Sequence, residues 1–249
     1  MEVRAGGGLA KASTRARRLL GDLRDLRSKT RQGIERRVFE RHIARLFEKY
    51  RTLTMVPKSV FADNLRLCRQ YAGIGGSVVE CGVWRGGMVA AMAEVLGPGR
   101  HYYLFDSFEG LPAAKPIDGE SALAWQANKT GPFYYDNCRA ELRFAEEAMR
   151  YSGARSYTTL KGWFQDTLRD FRPREPIAIL RLDGDWYDST MECLTYLYPL
   201  VKNKGLIIVD DYYTWDGCAR AVHDFLSRAA IKDRIHQTTN RVAYITKNG

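Results

Sequence analysis

The sequence predicts an α/β protein with a doubly wound, mostly parallel sheet of seven strands that ends in an antiparallel hairpin. Three observations support this fold class. Short apolar runs alternate with segments of helical periodicity from residue 73 onward. The runs at 77–83 and 177–183 are largely apolar and are flanked by predicted helices, as parallel strands covered on both faces require. The last two runs are separated only by residues 239–241, which is short enough for a hairpin.

The chain of 249 residues carries a formal net charge of +10, and this charge is unevenly distributed. Residues 1–51 contain 15 Lys and Arg against 6 Asp and Glu, whereas the other 198 residues contain 24 against 23. We therefore expect a basic arm over 1–30, N-terminal helices over 31–72 and the main domain over 73–249. The arm has no aromatic residue, which favours a mobile tail over contact with nucleic acid or an anionic membrane. A transit peptide also fits the first 20 residues, but only by composition.

The first helix is predicted from an apolar stripe at helical spacing, formed by Ile34, Val38, Phe39, Ile43, Leu46, Phe47 and Tyr50. Such a stripe has to be buried, either on the main domain or on a second subunit. A second helix is predicted over 58–72, after the break at Pro57.

The main domain is predicted to alternate strands and helices. The strands are expected at 77–83, 101–107, 156–160, 177–183, 206–210, 234–238 and 242–246. The helices are expected at 86–96, near 137–151, and at 165–171, 189–200 and 217–230. The stretch 108–153, which contains Trp125, Phe133, Tyr134 and Tyr135, is too long for a plain connection. We interpret it as an acceptor-binding lid, with a surface excursion as the alternative.

Composition excludes several classes of protein. An apolar fraction of 45% is too high for a wholly disordered chain. No apolar run reaches the roughly 18 residues of a membrane-spanning helix, and no apolar signal-peptide core is visible near the start. The five cysteines form no CxxC pair, so we expect reduced thiols in a cytoplasmic protein.

A nucleoside-containing cofactor is indicated at the ends of the first two strands. The first ends in a glycine-rich turn, and the second ends in an acidic residue placed to accept hydrogen bonds from a ribose diol. The glycine spacing is not the GxGxxG of dinucleotide sites, and an acidic residue beside the ligand suits a cationic cofactor. S-adenosylmethionine therefore fits better than NAD. The candidate cofactor residues here are Glu80, Gly82, Trp84, Gly86, Asp106 and Ser107.

A metal site is indicated at the ends of the fourth and fifth strands. Asp183 follows one apolar run, and Asp210 and Asp211 follow the next. If these strands are neighbours, three carboxylates converge and repel one another unless a cation joins them. A helix cap explains a single aspartate but not three. Hard oxygen ligands favour Mg²⁺, with Mn²⁺ or Ca²⁺ as alternatives to it, over Zn²⁺.

The sequence resembles the macrocin-type O-methyltransferases from about residue 50 to its end. Six ordered segments carry the resemblance: VVECGVWRGG (78–87), FDSFEGLP (105–112), KGWFQDTL (161–168), RLDGDWYDST (181–190), GLIIVDDY (205–212) and GCARAVHDF (217–225). The family uses S-adenosylmethionine and a metal, and many members methylate sugar hydroxyls of natural products. This chain departs from the usual family pattern at His223, where an acidic residue is more common. It also departs at 242–245, a segment that lacks the usual Trp.

The resemblance implies a Rossmann-like class I methyltransferase fold for residues 73–249 and a role for each matching residue. Mg²⁺ would be bound by Asp183, Asp210 and Asp211, and Asp185 would be the general base. Thr54 and Met55 would contact the methionine part of the cofactor, and the adenine would lie beside Gly162, Trp163 and Phe164. Homodimers are common in the family, with N-terminal helices that help to cover the site.

The expected reaction is methylation of a hydroxyl on a small-molecule acceptor, and a glycosylated one is favoured. Catechol methyltransferases carry a lysine three residues after the first metal aspartate, whereas Trp186 stands there in this chain. His223 is a rival base, but it lies on a later helix. A phenolic acceptor, a metal-dependent hydrolase and a nucleic-acid-binding adaptor are the alternatives. The hydrolase leaves Glu80, Gly82 and Asp106 without a role, and the adaptor predicts salt-sensitive binding that survives deletion of residues 52–249.

Overall fold

A computed structural model describes residues 31–248. The chain divides into two compact units, Met1–Arg45 and Leu46–Gly249. In the first unit the described residues, 31–45, belong to helix α1, which spans 31–50, and Ile34 and Val38 on it are 57% and 55% exposed. The basic arm predicted over 1–30 lies outside the described residues.

The second unit contains a seven-stranded sheet with the order β3-β2-β1-β4-β5-β7-β6. The first five strands are parallel, and β7 runs antiparallel to both β5 and β6. The strands are β1 Ser77–Cys81, β2 Tyr102–Asp106, β3 Tyr157–Lys161, β4 Ile177–Leu182, β5 Val201–Val209, β6 Ile235–Gln237 and β7 Ala243–Thr246. The predicted parallel sheet with a terminal hairpin is confirmed, and β4 and β5 are neighbours as the metal-site argument required.

Helices cover the sheet in two groups. Helices α2, α3 and α6 pack together, and α7, α8 and α9 form the second group. The helices are α2 Lys58–Gln70, α3 Gly87–Leu96, α4 Glu120–Ala127, α5 Tyr135–Cys138, α6 Leu142–Ser152, α7 Phe164–Thr167, α8 Tyr187–Leu197 and α9 Asp216–Arg228. Short 3-10 turns lie at Pro116–Asp118, Tyr198–Leu200 and Asp210–Tyr213. Every residue of β1 and β4 is buried, which includes one charged side chain on each strand.

The predicted helix near 137–151 begins later, at Leu142. Before it, α5 is a single left-handed turn in which four successive non-glycine residues have φ between 49° and 59°. Each such residue costs roughly 1–2 kcal/mol relative to the right-handed conformation. The side chain of Asn137 stabilises the turn, because its amide donates to Leu111 O at 2.7 Å and accepts from Gln126 Nε2 at 3.0 Å.

Within residues 31–248, no helix is both long enough and apolar enough to cross a lipid bilayer.

Candidate active site

A cavity of about 820 Å³ opens at the carboxyl ends of the parallel strands, where ligands bind in open α/β sheets. It is lined by all but one of the predicted site residues: Thr54, Met55, Glu80, Gly82, Trp84, Asp106, Ser107, Gly162, Trp163, Phe164, Asp183, Asp185, Asp210 and Asp211. The exception is Gly86. A Cβ at that position would lie 2.8 Å from Ala145 Cα, so this glycine permits close packing against α6.

The glycine-rich turn after β1 brings separate parts of the chain to the cavity. Gly82 has a φ of 84°, and a Cβ there would lie 1.7 Å from the carbonyl oxygen of Asp183. Only glycine therefore allows the ends of β1 and β4 to approach this closely. On the other side of the turn, Gly87 N donates to Leu53 O at 2.8 Å. That bond holds the loop carrying Thr54 and Met55 against the turn.

Asp106 at the end of β2 is bound to the same turn. Its Oδ2 accepts from the backbone N–H groups of Val83 and Trp84, both at 2.8 Å, and its Oδ1 accepts from Phe108 N at 2.6 Å. Burial raises the pKa of this carboxyl above its ordinary value, although the hydrogen bonds from the three N–H groups lower the pKa in part. A carboxylate has about four acceptor positions, so roughly one remains beyond these three bonds.

Arg181 on β4 organises the acidic side of the cavity, and the sequence argument missed it. Its guanidinium is wholly buried and lies 2.7 Å from each of three carboxylates, those of Glu80, Asp183 and Asp210. Its Nε also donates to Asn64 Oδ1 at 3.0 Å. The planar fork of an arginine suits such multiple pairing. The signal in the sequence was a single arginine inside an otherwise apolar strand.

The acidic cluster differs in detail from the predicted set. Oxygen atoms of Asp183, Asp185 and Asp211 lie within 4.8 Å of one another. Asp210 faces Arg181, and Arg181 and Asn64 both bind its Oδ1. The structure therefore brings four aspartates to one place, with Asp185 rather than Asp210 in the tightest group.

The chemistry of this cluster fits a divalent cation. Burial, followed by the charge of Asp183, raises the pKa of Asp185 to about 8. Burial and the charge of Asp185 raise the pKa of Asp211 well above its ordinary value. Mutual repulsion of this kind is relieved when a cation binds between the carboxylates. The ligands are all oxygen atoms, which Mg²⁺ prefers.

Asp185 is held in an unusual conformation. Its φ is 57°, which a non-glycine residue adopts only under constraint. Its backbone N donates to Asp211 Oδ2 at 3.1 Å, and its Oδ1 accepts from Trp215 Nε1 at 2.9 Å. The rival base, His223, is exposed on α9, bonds to the Tyr212 hydroxyl at 2.8 Å and does not line the cavity.

An aromatic wall faces the aspartates. The rings of Trp125, Trp186 and Trp215 meet edge to face, with centroids 5.2 to 6.1 Å apart. The loop before α4 is fixed to the start of α8, because Tyr187 N donates to the buried Asp118 Oδ1 at 2.7 Å. Phe133, in contrast, lines the cavity and is 69% exposed. The three packed tryptophans and the Asp118–Tyr187 bond thus form an ordered part of the cavity wall, whereas Phe133 lies at its solvent-exposed edge.

Comparison with known proteins identifies the family. The macrocin-O-methyltransferase (TylF) family matches residues 48–247. A relative from Streptomyces olivaceus, 8-demethyl-8-(2,3-dimethoxy-alpha-L-rhamnosyl)-tetracenomycin-C 4'-O-methyltransferase, is 35% identical over 189 residues, covering 70% of this chain and 68% of that protein. Mycinamicin III 3''-O-methyltransferase from Micromonospora griseorubida is 33% identical over 193 residues, covering 73% and 74%.

A solved structure agrees with these matches. The O-methyltransferase NovP superposes with a TM-score of 0.66 at 26% identity, covering 79% of this chain and 83% of that one. The resemblance, the class I Rossmann-like fold and the enzyme class expected from the sequence are thereby confirmed. The chain belongs to the macrocin O-methyltransferase family of S-adenosylmethionine-dependent enzymes.

Proposed function

We propose that this enzyme transfers a methyl group from S-adenosylmethionine to a sugar hydroxyl of a glycosylated small molecule, with Mg²⁺ as the metal. The observation that carries the proposal is a single cavity in which a cofactor-type turn, an acidic cluster and an aromatic wall meet. The relative from Streptomyces olivaceus is named as an O-methyltransferase of a rhamnosyl-bearing compound, which supports the same substrate class.

The cofactor would occupy the side of the cavity formed by the ends of β1 and β2. S-adenosylmethionine supplies the methyl group on a positively charged sulfur. Asp106 accepts one ribose hydroxyl through its remaining acceptor position, and Gly162, Trp163 and Phe164 lie beside the adenine. Thr54 and Met55 contact the methionine part. Oε2 of Glu80 is buried without a hydrogen-bond partner among the described residues, and it suits the cationic amino group.

The cation would be held by Asp183, Asp210 and Asp211. Arg181 binds one oxygen of Asp183 and one of Asp210, and the second oxygen of each carboxylate would be free to bind the ion. The cation supplies a positive charge beside the acceptor, which favours the loss of a hydroxyl proton. One arginine charge does not balance the carboxylates around it, and a divalent ion reduces the excess.

Asp185 would remove the acceptor proton. It lines the cavity two residues after Asp183 and lies in the same acidic group. The carboxylate of Asp185 would accept the proton of the acceptor hydroxyl, whose oxygen would take the methyl group as the bond from methyl carbon to sulfur breaks. The Trp125, Trp186 and Trp215 wall holds the sugar ring in line for this displacement, which requires the oxygen about 3–3.5 Å from the carbon.

The proposal is tested by methyl transfer from labelled S-adenosylmethionine to a panel of aryl rhamnosides and catechols, with and without a chelator. We expect rhamnoside methylation that stops with EDTA and returns with excess Mg²⁺. Asp183→Asn should abolish it, whereas Asp188→Asn, which alters an exposed carboxylate at the cavity mouth, should retain it. Full activity in EDTA would reject the metal, and a preference for catechols would reject the sugar.

We also infer a homodimer. Ile34 and Val38 are large apolar residues that α1 leaves mostly exposed, which is typical of a surface that contacts another subunit. Sedimentation equilibrium should give twice the chain mass of 28.4 kDa. Replacement of both residues by serine should shift the protein toward the monomer. A monomer mass for the unmodified protein would reject the inference.

A further inference from the structure

We infer that Trp215 is a positioning residue whose indole N–H holds the carboxylate of Asp185 in its working orientation. The inference rests on the proposed role of Asp185 as the base, and it adds a residue to which neither the sequence argument nor the comparisons give a role. It concerns the hydrogen bond from Trp215 Nε1 to Asp185 Oδ1, which is 2.9 Å long.

The backbone alone does not fix the carboxylate of Asp185. The backbone N–H of this residue is bound to Asp211, and its positive φ is set by the turn after Gly184. Neither feature determines the rotation of the side chain about its own bonds. The indole provides that constraint, because a donor at Oδ1 selects one orientation of the carboxylate. Oδ2 then becomes the oxygen that receives the proton.

The position of Trp215 is itself tied to the acidic cluster. Trp215 is the residue that precedes α9, and its backbone N donates to Asp211 O at 3.0 Å. A single turn of chain therefore carries both an aspartate of the cluster and the indole that binds Asp185. Any shift of this turn moves both groups together, which preserves the position of the Asp185 carboxylate relative to Asp211.

The plane of the indole is fixed by two other tryptophans. Trp186 lies 5.2 Å from Trp215 at an interplanar angle of 66°, and Trp125 lies 6.0 Å away at 63°. Edge-to-face contacts of this kind restrict rotation of a ring. Trp125 belongs to the long segment between β2 and β3, which forms the acceptor side of the cavity. The same indole therefore contacts the acceptor wall and the base.

The variant that tests this arrangement is Trp215→Phe, which keeps an aromatic ring and removes the N–H donor. We expect kcat for the aryl rhamnoside to fall, by up to about 10²-fold, since small displacements of a reacting group have effects of that size. The KM for S-adenosylmethionine and the affinity for Mn²⁺, measured by electron paramagnetic resonance, should stay the same. A crystal structure of the variant should show the Asp185 carboxylate rotated or in more than one orientation.

A double-mutant cycle distinguishes positioning from a general structural effect. If Trp215 acts through Asp185, adding Trp215→Phe to Asp185→Asn should lower the residual rate no further. The matched control is Trp84→Phe, which removes an indole N–H that bonds to Arg139 O at 3.3 Å and does not belong to the group of tryptophans that packs around Trp215. Its effect should add to that of Asp185→Asn.

Four results would overturn the inference. Three are a Trp215→Phe structure with Asp185 unmoved, additive effects of Trp215→Phe and Asp185→Asn, and a loss of Mn²⁺ affinity in Trp215→Phe, which would make Asp185 a cation ligand. The proposed function fails separately. If Asp185→Asn turns over at the normal rate, Asp185 is not the base, whereas an inactive Asp185→Asn beside a fully active Trp215→Phe rejects only the inference.

Discussion

Arg181 Nη1 lies 2.7 Å from Glu80 Oε1, and both side chains are almost completely withdrawn from solvent on neighbouring strands of the sheet. Burial raises the pKa of Glu80 to about 8, while the guanidinium acts in the opposite direction. For Arg181, burial opposes the charged form, but the carboxylates of Asp183 and Asp210 outweigh it and hold the guanidinium pKa above its usual range. The ion pair between Glu80 and Arg181 therefore links the two central strands, β1 and β4, and also belongs to the acidic side of the cavity.

Replacing Arg181 by methionine should destabilise the protein strongly. The substitution keeps much of the volume but leaves the buried carboxylate of Glu80 and the partly buried carboxylates of Asp183 and Asp210 without their partner. Breaking a buried pair such as Arg181–Glu80 costs about 3–5 kcal/mol. Urea unfolding monitored by circular dichroism measures the loss. The matched control is Arg143→Met, because Arg143 pairs with Glu141 at 3.0 Å on the surface and should contribute under about 1 kcal/mol. Equal stabilities for the two variants would contradict this account of the core.

The sheet could be predicted from sequence because its central strands follow a simple physical rule. Parallel strands covered by helices are apolar on both faces, and 77–83 and 177–183 follow this pattern except at a few polar positions, Glu80 and Arg181 among them. The left-handed turn at Tyr135–Cys138 could not be predicted in the same way. Its conformation opposes local preference and exists because Asn137, Leu111 and Gln126 bond across the segment, which is information from tertiary structure.

The sequence predicts which residues line the site, but it does not predict which of them contact one another. Strand ends and glycine positions located the cavity-lining aspartates, since parallel strands place their carboxyl ends together. The distribution of contacts among them depends on the position of Arg181, which binds Asp210 and leaves Asp185 beside Asp183 and Asp211. Nothing in the spacing of the aspartates reveals the direction in which each carboxylate points.

Cation affinity in aspartate variants should separate the ligands from the base. We expect Asp210→Asn to weaken Mn²⁺ binding at least about tenfold, because it removes a proposed ligand that also faces Arg181. Asp185→Asn should leave the affinity nearly unchanged and lower kcat by about 10²–10⁴-fold, as removal of a general base does. Electron paramagnetic resonance of Mn²⁺ titrations gives the affinities. The reverse pattern of affinities would assign the cation to Asp183, Asp185 and Asp211.

The stability of the metal-free protein should fall as pH rises. Asp185 has a pKa of about 8 in the folded protein against an ordinary 3.8, so between these values the folded state binds more protons than the unfolded state. The contribution is complete below the unfolded pKa and is lost as pH rises through the folded one. Thermal unfolding in EDTA from pH 5 to 8.5 should therefore show a declining Tm.

Two comparisons check the origin of that decline. Asp185→Asn should make the decline shallower without removing it, because the amide does not ionise but Glu80 and Asp211, whose pKa values are also raised, still do. The exposed Asp188→Asn should leave the slope unchanged. Excess Mg²⁺ should raise Tm most at the high-pH end, where the carboxylates are charged and repel one another. A decline that is the same in Asp185→Asn would place its cause elsewhere in the protein.

Asp106→Asn should weaken cofactor binding and also disturb the glycine-rich turn. The amide presents a donor where the carboxylate accepts from Val83, Trp84 or Phe108. We expect a loss of about 1.5–3 kcal/mol in S-adenosylmethionine affinity by calorimetry, together with a lower Tm. Asp118→Asn is the control, since Asp118 is a buried carboxylate that also accepts two backbone N–H groups, at 2.7 Å each. It should lower Tm without weakening the cofactor; equal affinity losses would show that both effects are structural.

The arm and the first helix should differ in their importance. A chain that starts at residue 31 should keep its activity and Tm, because the arm has few apolar residues to pack. A chain that starts at residue 52 loses Tyr50, which is completely buried and donates to Glu94 Oε1 at 2.6 Å. It also loses Lys49, whose Nζ lies 2.7 Å from the same oxygen.

The shorter chain should therefore have a lower Tm and less activity, since Glu94 on α3 would lose both partners and the apolar surface around Tyr50 would face water. Tyr50→Phe in the chain that starts at residue 31 separates the two contributions, because it removes the hydroxyl and keeps the ring. We expect it to lose roughly 1–3 kcal/mol of stability, the range for an acceptor left partly unsatisfied, and the deletion to lose more. Activity and Tm that are identical in the chains starting at 31 and 52 would show that residues 31–51 contribute nothing to the fold of the catalytic unit.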